Sequence, residues 1–113
     1  MSQNRNKLIE LFVANLANAI VHQVLEKAID NSEIANKYVK EFKTSWEIAQ
    51  KYRVKINPAN TPLPDKDLTE IKTKIAKKVN VELQVRISHG YENINLSLVE
   101  ELVGKAFKDL KVI

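Results

Sequence analysis

Apolar residues recur at steps of three and four between Lys7 and Ile29, which predicts a long first helix. The apolar arc is wider than a helix needs for packing on one core face. We therefore expect this helix to bury two sides, in a bundle or against a partner. His22 lies within the run, and we interpret it as a core or boundary histidine rather than a metal ligand.

A second helix is predicted up to about Lys51. In Asp30-Asn31-Ser32-Glu33, Asp30 suits an N-cap, and Glu33 three residues later suits a capping box. The stripe that we expect to be buried has steps of three and four and consists of Ile34, Tyr38, Phe42, Trp46 and Ala49.

Two later stretches alternate apolar and polar residues, which favours strands. The first is "YRVKINP", in which Tyr52, Val54 and Ile56 alternate with polar residues. The second is "VNVELQVRIS", where five apolar positions occur at period two: Val79, Val81, Leu83, Val85 and Ile87. We predict a strand at each stretch.

The remaining segments complete the order of elements. Pro58, Pro62 and Pro64 predict an extended connection, and a third helix is expected from about Asp65 to Lys78. "HGYENIN" follows as a turn. The last helix begins at a predicted capping box of Ser97 and Glu100, with its buried face on Leu98, Leu102, Phe107 and Leu110.

This pattern predicts an α+β or α/β fold, in which an N-terminal helical hairpin precedes a small strand-helix-strand-helix unit. The 113 residues suit a single domain. A division at the proline-rich stretch is the alternative, with a helical hairpin at 1–51 and a small α/β lobe at 52–113.

Composition narrows the function. The chain is 44% hydrophobic and 28% charged and contains no cysteine, which excludes disulfides and thiol chemistry. Only two glycines are present, so a phosphate-binding glycine loop is excluded, and we expect no cofactor and no metal site. No apolar run suggests membrane insertion. These features favour a cytoplasmic protein, either free or peripheral to a membrane complex.

The net charge is +4, which mildly favours anionic partners. The candidate anion-binding residues form one basic cluster of Lys72, Lys74, Lys77 and Lys78. A solvated helix face explains these lysines more simply, so nucleic-acid binding remains open but is not favoured.

The stretch "TPLPDKDLTEIKTKIAKKVNVEL" resembles the carboxy-terminal domain of the F-type ATP synthase delta subunit, also called the oligomycin-sensitivity-conferring protein. The matching features are Pro62-Leu63, Lys77-Lys78, Val81-Glu82-Leu83 and the glycine turn before Ser97. The resemblance lacks the Gly-Gly segment and the six-helix bundle of that family. It implies a non-catalytic adaptor of the peripheral stalk, which meets an ATPase head or stalk helices.

The stretch "HGYENINLSLVEELV" is similar to the end of HEPN-type ribonuclease toxins, in which histidine, any residue and tyrosine precede a helix. The resemblance implies that His89 is a general base, that Arg86 stabilises phosphate charge, and that Tyr91 belongs to the same motif. That family is all-helical and places its Arg four to six residues before the His. Here Arg86 lies three positions before His89, at the end of a predicted strand.

A turn is the simpler interpretation of "SHGY", because Gly90 supplies the positive φ that a tight turn needs. We therefore expect a non-catalytic interaction subunit, with the ribonuclease or a small basic RNA-binding protein as the alternatives. The partner is expected to be a protein or a second copy of the chain. The predicted docking residues are on the first helix: Leu8, Phe12, Leu16, Ile20 and Val24. On this hypothesis, Phe12→Glu and Leu16→Glu abolish partner binding and leave the domain folded.

Overall fold

The computed structural model describes residues 5–56 and 63–110, which form four helices and no strand. The helices are α1 (Arg5–Ala28), α2 (Ser32–Ile56), α3 (Asp65–Ser88) and α4 (Leu98–Asp109). The predicted N-terminal helical hairpin is present as α1 and α2. The predicted α+β or α/β class is wrong, because every described residue of the two expected strands belongs to a helix. The predicted connection through Pro58 and Pro62 lies outside the described residues.

α1 is the central helix, and it packs against α2, α3 and α4. Neighbours on three sides explain the width of its apolar arc. In the part of α1 whose side chains are described, the exposed residues lie mainly at its two ends and on a narrow stripe of Glu10, Ala14 and Asn18. The expectation that this helix buries more than one side is confirmed, and the bundle itself supplies the cover.

α2 begins after Asn31, whose Oδ1 accepts the backbone N–H groups of Glu33 and Ile34 at 2.9 and 3.2 Å. Asn31 is therefore the cap that we had expected at Asp30. Towards its end, the buried stripe is Ala49, Arg53 and Ile56, at steps of four and three. The predicted strand at 52–56 is wrong because the residues on this stripe belong to one helical face.

Arg53 is a charged residue of the core, with only 1% of its surface exposed. Its Nε donates a hydrogen bond of 3.1 Å to the carbonyl oxygen of Leu110. This contact joins the end of α2 to the end of α4. Burial lowers the pKa of the Arg53 guanidinium, but arginine remains protonated in proteins. A cation near the last carbonyls of a helix is favoured by the helix dipole.

α3 continues ten residues beyond its predicted end, through the whole of the second predicted strand. Its buried residues are Ile71, Ile75, Val79 and Leu83, which recur every four residues and form one stripe. Val81 and Val85 alternate with this stripe and are 57% and 43% exposed. The alternation in the sequence thus combines a buried stripe with exposed valines on other faces.

α4 buries Val99, Leu102, Val103, Ala106 and Phe107. Of the predicted buried face, Leu102, Phe107 and Leu110 are buried, whereas Leu98 is only half-buried. The predicted capping box at its start is not formed, because Ser97 makes no side-chain cap hydrogen bond. Instead, Asn95 Oδ1 accepts the Ser97 backbone N–H at 3.0 Å and the Ser97 hydroxyl at 2.5 Å. α4 packs against α3 and α1 and closes the bundle.

The segment Asn6–Ala28 of α1 is long and apolar enough to cross a membrane, with a mean hydropathy of 1.5 over its most apolar window. However, 61% of that window is buried inside the bundle. A core helix that other helices surround has the same length and composition, so these two properties do not assign α1 to a membrane.

Candidate functional site

The turn after α3 brings Tyr91 back onto Arg86. Gly90 has a φ of +95°, as the turn interpretation requires. The Gly90 N–H donates to the carbonyl of Ile87 at 3.0 Å, and the Tyr91 N–H donates to that of Arg86 at 3.1 Å. These two bonds form a Schellman motif, which folds the chain back over the last turn of the helix. As a result, the Arg86 guanidinium lies 5.5 Å from the centre of the Tyr91 ring.

Arg86 is at the centre of a polar cluster between α2 and α3. Its Nε donates to Glu82 Oε1 at 3.2 Å, which is an i,i+4 ion pair on α3. Its Nη1 lies 3.4 Å from the hydroxyls of both Tyr38 and Tyr91. Nη2 carries two further N–H donors and makes no hydrogen bond to the described residues. This edge of the guanidinium is available to an anion.

The two tyrosines of the cluster differ in their electrostatics. Their hydroxyl oxygens are 3.3 Å apart. Burial raises the pKa of Tyr38, and its hydrogen bond to Tyr91 raises it further. Hydrogen bonds from Tyr38 and Arg86 lower the pKa of Tyr91. Either hydroxyl can donate this hydrogen bond, and when Tyr38 is the donor the Tyr91 hydroxyl proton is directed to another acceptor.

His22 extends the cluster towards α1. Its ring stacks on Tyr38 with centroids 5.9 Å apart, and its Nε2 lies 3.1 Å from Glu41 Oε2. Burial lowers the pKa of His22, and the positive charge of Arg86 lowers it too, whereas Glu41 raises it. Nδ1 is buried without a hydrogen-bond partner among the described residues. A neutral ring with its proton on Nε2 satisfies Glu41 and leaves no buried N–H unpaired.

The motif residues Arg86 and His89 are close in the chain and share one helical segment. His89 is the C-cap of α3 and its side chain is exposed, while Arg86 is half-buried one turn earlier. Residues three apart on a helix lie on the same face, whereas residues three apart on a strand point to opposite faces. On this backbone the two positions fall towards one side of the helix end, which the predicted strand would have prevented.

A second feature is a groove of about 820 Å³ between α1 and α3. Its apolar lining includes Leu11, Ala14, Ala17 and Val21 on α1, and Val81 on α3. Its charged lining consists of Glu10, Lys74, Lys77, Lys78 and Glu82. We call it the α1–α3 groove. It contains the exposed stripe of α1, which is the part of that helix that the bundle leaves uncovered.

The docking residues predicted from the sequence are in the core. Phe12, Leu16, Ile20 and Val24 are 0% exposed and Leu8 is 7% exposed. They are covered by the other helices of the chain, so they do not form a docking face on the folded protein. The sequence shows that the arc is wide, but it does not show which neighbour covers it.

The predicted lysine cluster is divided between two faces of α3. Lys74, Lys77 and Lys78 line the α1–α3 groove, whereas Lys72 lies beside the start of α4, near Ser97 and Glu100. Lys74 pairs with Glu70 at 2.8 Å. Lys77 and Lys78 form no ion pair with any described residue. The four lysines therefore do not act as one anion site.

Sequence reasoning missed Tyr38, Glu82 and Glu41 as members of the polar cluster. Tyr38 and Arg86 are 48 positions apart, and only the packing of the bundle joins them. The Glu82–Arg86 pair has the i,i+4 spacing of a helix, but this spacing was not used because a strand was predicted for these residues. Within residues 5–56 and 63–110, no group of three or more His, Cys, Asp or Glu residues could hold a metal ion.

Comparison of the chain with protein-family models, with curated proteins and with solved structures gives no match.

Proposed function

We propose that the chain is a ribonuclease of the HEPN type that acts through Arg86, His89 and Tyr91. The observation that supports this proposal is the helical backbone of residues 79–88, because positions three apart, such as Arg86 and the C-cap His89, fall on one side of a helix. The all-helical fold also agrees with the architecture that the resemblance implies. The strand that argued against this family in the sequence is part of a helix.

The residues suit the cleavage of a phosphodiester next to a ribose hydroxyl. His89 takes the proton of the 2′-hydroxyl, because histidine is the side chain best suited to a general base near neutral pH. The 2′-oxygen attacks the adjacent phosphorus, the bond to the 5′-oxygen breaks, and the leaving oxygen takes a proton from solvent. Arg86 Nη2 and the Tyr91 hydroxyl donate to the phosphate oxygens, where negative charge develops.

The rest of the cluster holds Arg86 in place for this role. Glu82 binds Nε, and the two tyrosine hydroxyls lie next to Nη1. A guanidinium fixed on two sides loses little further side-chain freedom when a phosphate binds to its remaining edge. The spacing of three residues between Arg86 and His89 departs from the four to six of the family.

The test is cleavage of a labelled single-stranded RNA by the purified chain. We expect His89→Ala to lose about 10²–10⁴-fold in rate, as removal of a general base does. Arg86→Lys keeps the charge but loses the forked donors, and we expect a loss of about 10²-fold or more. A substrate with a single 2′-deoxyribose at the cleaved position should resist cleavage, because the attacking oxygen is absent.

The matched control is Glu92→Ala, an exposed residue in the same turn, which should cleave at the wild-type rate. Thermal unfolding followed by circular dichroism checks that each variant is folded. Absence of cleavage by the wild type, or cleavage that is equal in the wild type and His89→Ala, would contradict the proposal.

A second candidate function is the non-catalytic interaction subunit expected from the sequence. The observation that favours it is the α1–α3 groove, an apolar surface that the bundle leaves uncovered. The resemblance to the delta subunit supports it less, since the strands on which that resemblance relied are helical. The two candidate sites adjoin each other on α3, since Glu82 lines the groove and also pairs with Arg86.

A further inference from the structure

We propose that the α1–α3 groove binds an acidic amphipathic helix of a partner protein. This inference deepens the second candidate function and depends on it, but it does not depend on ribonuclease activity. It identifies the docking surface as the exposed stripe of α1 together with one face of α3, in place of the buried residues that the sequence suggested.

The dimensions of the groove fit a helix of about three turns. Its α1 wall runs from Glu10 to Val21 and its α3 wall runs from Lys74 to Glu82. At about 1.5 Å per residue, these walls are roughly 17 and 12 Å long. Ala14 and Ala17 belong to the α1 wall, and their small side chains allow the backbone of a partner helix to approach closely. A partner helix of about eleven residues therefore fills the groove.

The chemistry of the lining favours a protein over a nucleic acid. Leu11, Val21 and Val81 are aliphatic, and none of the described residues that line the groove is aromatic. Single-stranded nucleic acids use aromatic rings for base stacking, and aliphatic side chains do not replace them. An amphipathic helix places its own apolar stripe on such a surface. Val81 is 57% exposed, so a partner would remove considerable apolar surface from water.

The charges of the groove favour an acidic partner. Glu82 is paired with Arg86. Lys74 is paired with Glu70 and also interacts electrostatically with Glu10. Lys77 and Lys78 remain as cations without an ion pair to any described residue. Carboxylates beside the apolar stripe of a partner helix would meet them.

The same lysines disfavour a second copy of the chain as the occupant. In a two-fold contact the same surface patch faces itself, so the lysines of both copies lie in one interface. The chain also has a net charge of +4, which adds long-range repulsion between copies. An acidic helix of another protein has neither disadvantage.

The experiment uses the full chain and two synthetic helical peptides of about fourteen residues. Both peptides carry leucines at i, i+4, i+7 and i+11, flanked by glutamates in one peptide and by lysines in the other. Binding of labelled peptide is measured by fluorescence anisotropy, and the site is mapped by amide chemical shifts. We expect the acidic peptide to bind at least tenfold more tightly than the basic one, with shifts confined to 10–21 and 74–82.

Variants test the two parts of the groove separately. Ala14→Arg fills the floor and should reduce binding of the acidic peptide at least tenfold. The double variant Lys77→Glu, Lys78→Glu should reverse the preference between the two peptides. Lys105→Glu is the matched control, because this lysine is exposed on α4 outside the groove. This variant should still prefer the acidic peptide. Circular dichroism confirms that all variants are folded.

Four outcomes would overturn the inference. The first is no measurable binding of the acidic peptide, and the second is equal binding of both peptides. The third is dimerisation of the chain by light scattering that Ala14→Arg abolishes, which would make a second copy the occupant. The fourth is binding of a single-stranded RNA that shifts the groove amides. Capture of a protein partner through another surface would leave the interaction-subunit function standing while this inference fails.

Discussion

The sharpest test of the fold is the replacement of Leu16 by alanine, because Leu16 was predicted to dock a partner and lies instead in the core. Its side chain is 0% exposed in the middle of α1. Leu→Ala removes buried methyl and methylene groups and leaves a cavity, which costs about 3 kcal/mol when the surroundings relax only in part. Leucine and alanine are both strong helix formers, so the loss reports packing rather than helix propensity.

The variant should remain folded in the absence of denaturant, so this loss can be measured by urea unfolding. A chain of 113 residues has a free energy of unfolding of roughly 6–17 kcal/mol at the usual stability per residue. With a urea dependence of about 1.5 kcal/mol per molar, a loss of 3 kcal/mol lowers the midpoint by about 2 M. Urea unfolding can be followed by circular dichroism and by the fluorescence of Trp46, the single tryptophan.

The matched control is Leu11→Ala, the same chemical change on the same helix at a half-buried position in the α1–α3 groove. We expect it to cost about 1 kcal/mol or less, because less apolar surface is lost from the interior. A midpoint for Leu16→Ala that equals that of Leu11→Ala would refute the central placement of α1. Leu16→Glu should not fold, because a carboxylate at this position is buried without a partner.

Two further predictions concern the turn and the polar cluster. Gly90→Ala should lower the free energy of unfolding by about 1 kcal/mol because φ is +95° there, whereas Gly104→Ala within α4 should raise it by about 0.5–1 kcal/mol. Neither added methyl meets an atom within 4 Å, so equal effects in urea unfolding would contradict the backbone explanation. Burial lowers the pKa of His22 in the folded protein, so below about pH 6.5 the unfolded chain takes up the proton first and stability falls as the pH falls. Unfolding measured from pH 7.5 to 5 should show this fall, and His22→Gln should reduce it. A fall that persists unchanged in His22→Gln would remove His22 as its source.

The sequence by itself determined the first, second and last helices and the turn at Gly90, but not where α2 and α3 end. Gly90 has the positive φ that the turn requires, and Leu102, Phe107 and Leu110 of the predicted face of α4 are buried. The steps of three and four in α1 and α2 likewise predict the hairpin. Such signals survive because backbone sterics and the helical repeat do not depend on the rest of the molecule.

The class of the fold was decided only by tertiary packing. Period two and the helical period share every fourth residue, so Val79 and Leu83 belong to both patterns. An alternating stretch becomes a helix when its neighbours offer a helical groove for the shared residues, and Val81 and Val85 are then left on exposed faces. At 52–56, the buried helical face includes Arg53. The polar and apolar pattern of the sequence instead predicts that this charged side chain is exposed to solvent.

The candidate site was likewise determined in part by the sequence and in part by the tertiary structure. The sequence identified Arg86, His89 and Tyr91, because a short local motif contains all three. Only the structure added Tyr38, Glu82 and His22, and only it moved the proposed docking surface from the buried arc of α1 to the groove beside α3. Which face of an apolar helix remains uncovered depends on every other helix in the bundle, and no local stretch of sequence contains that information.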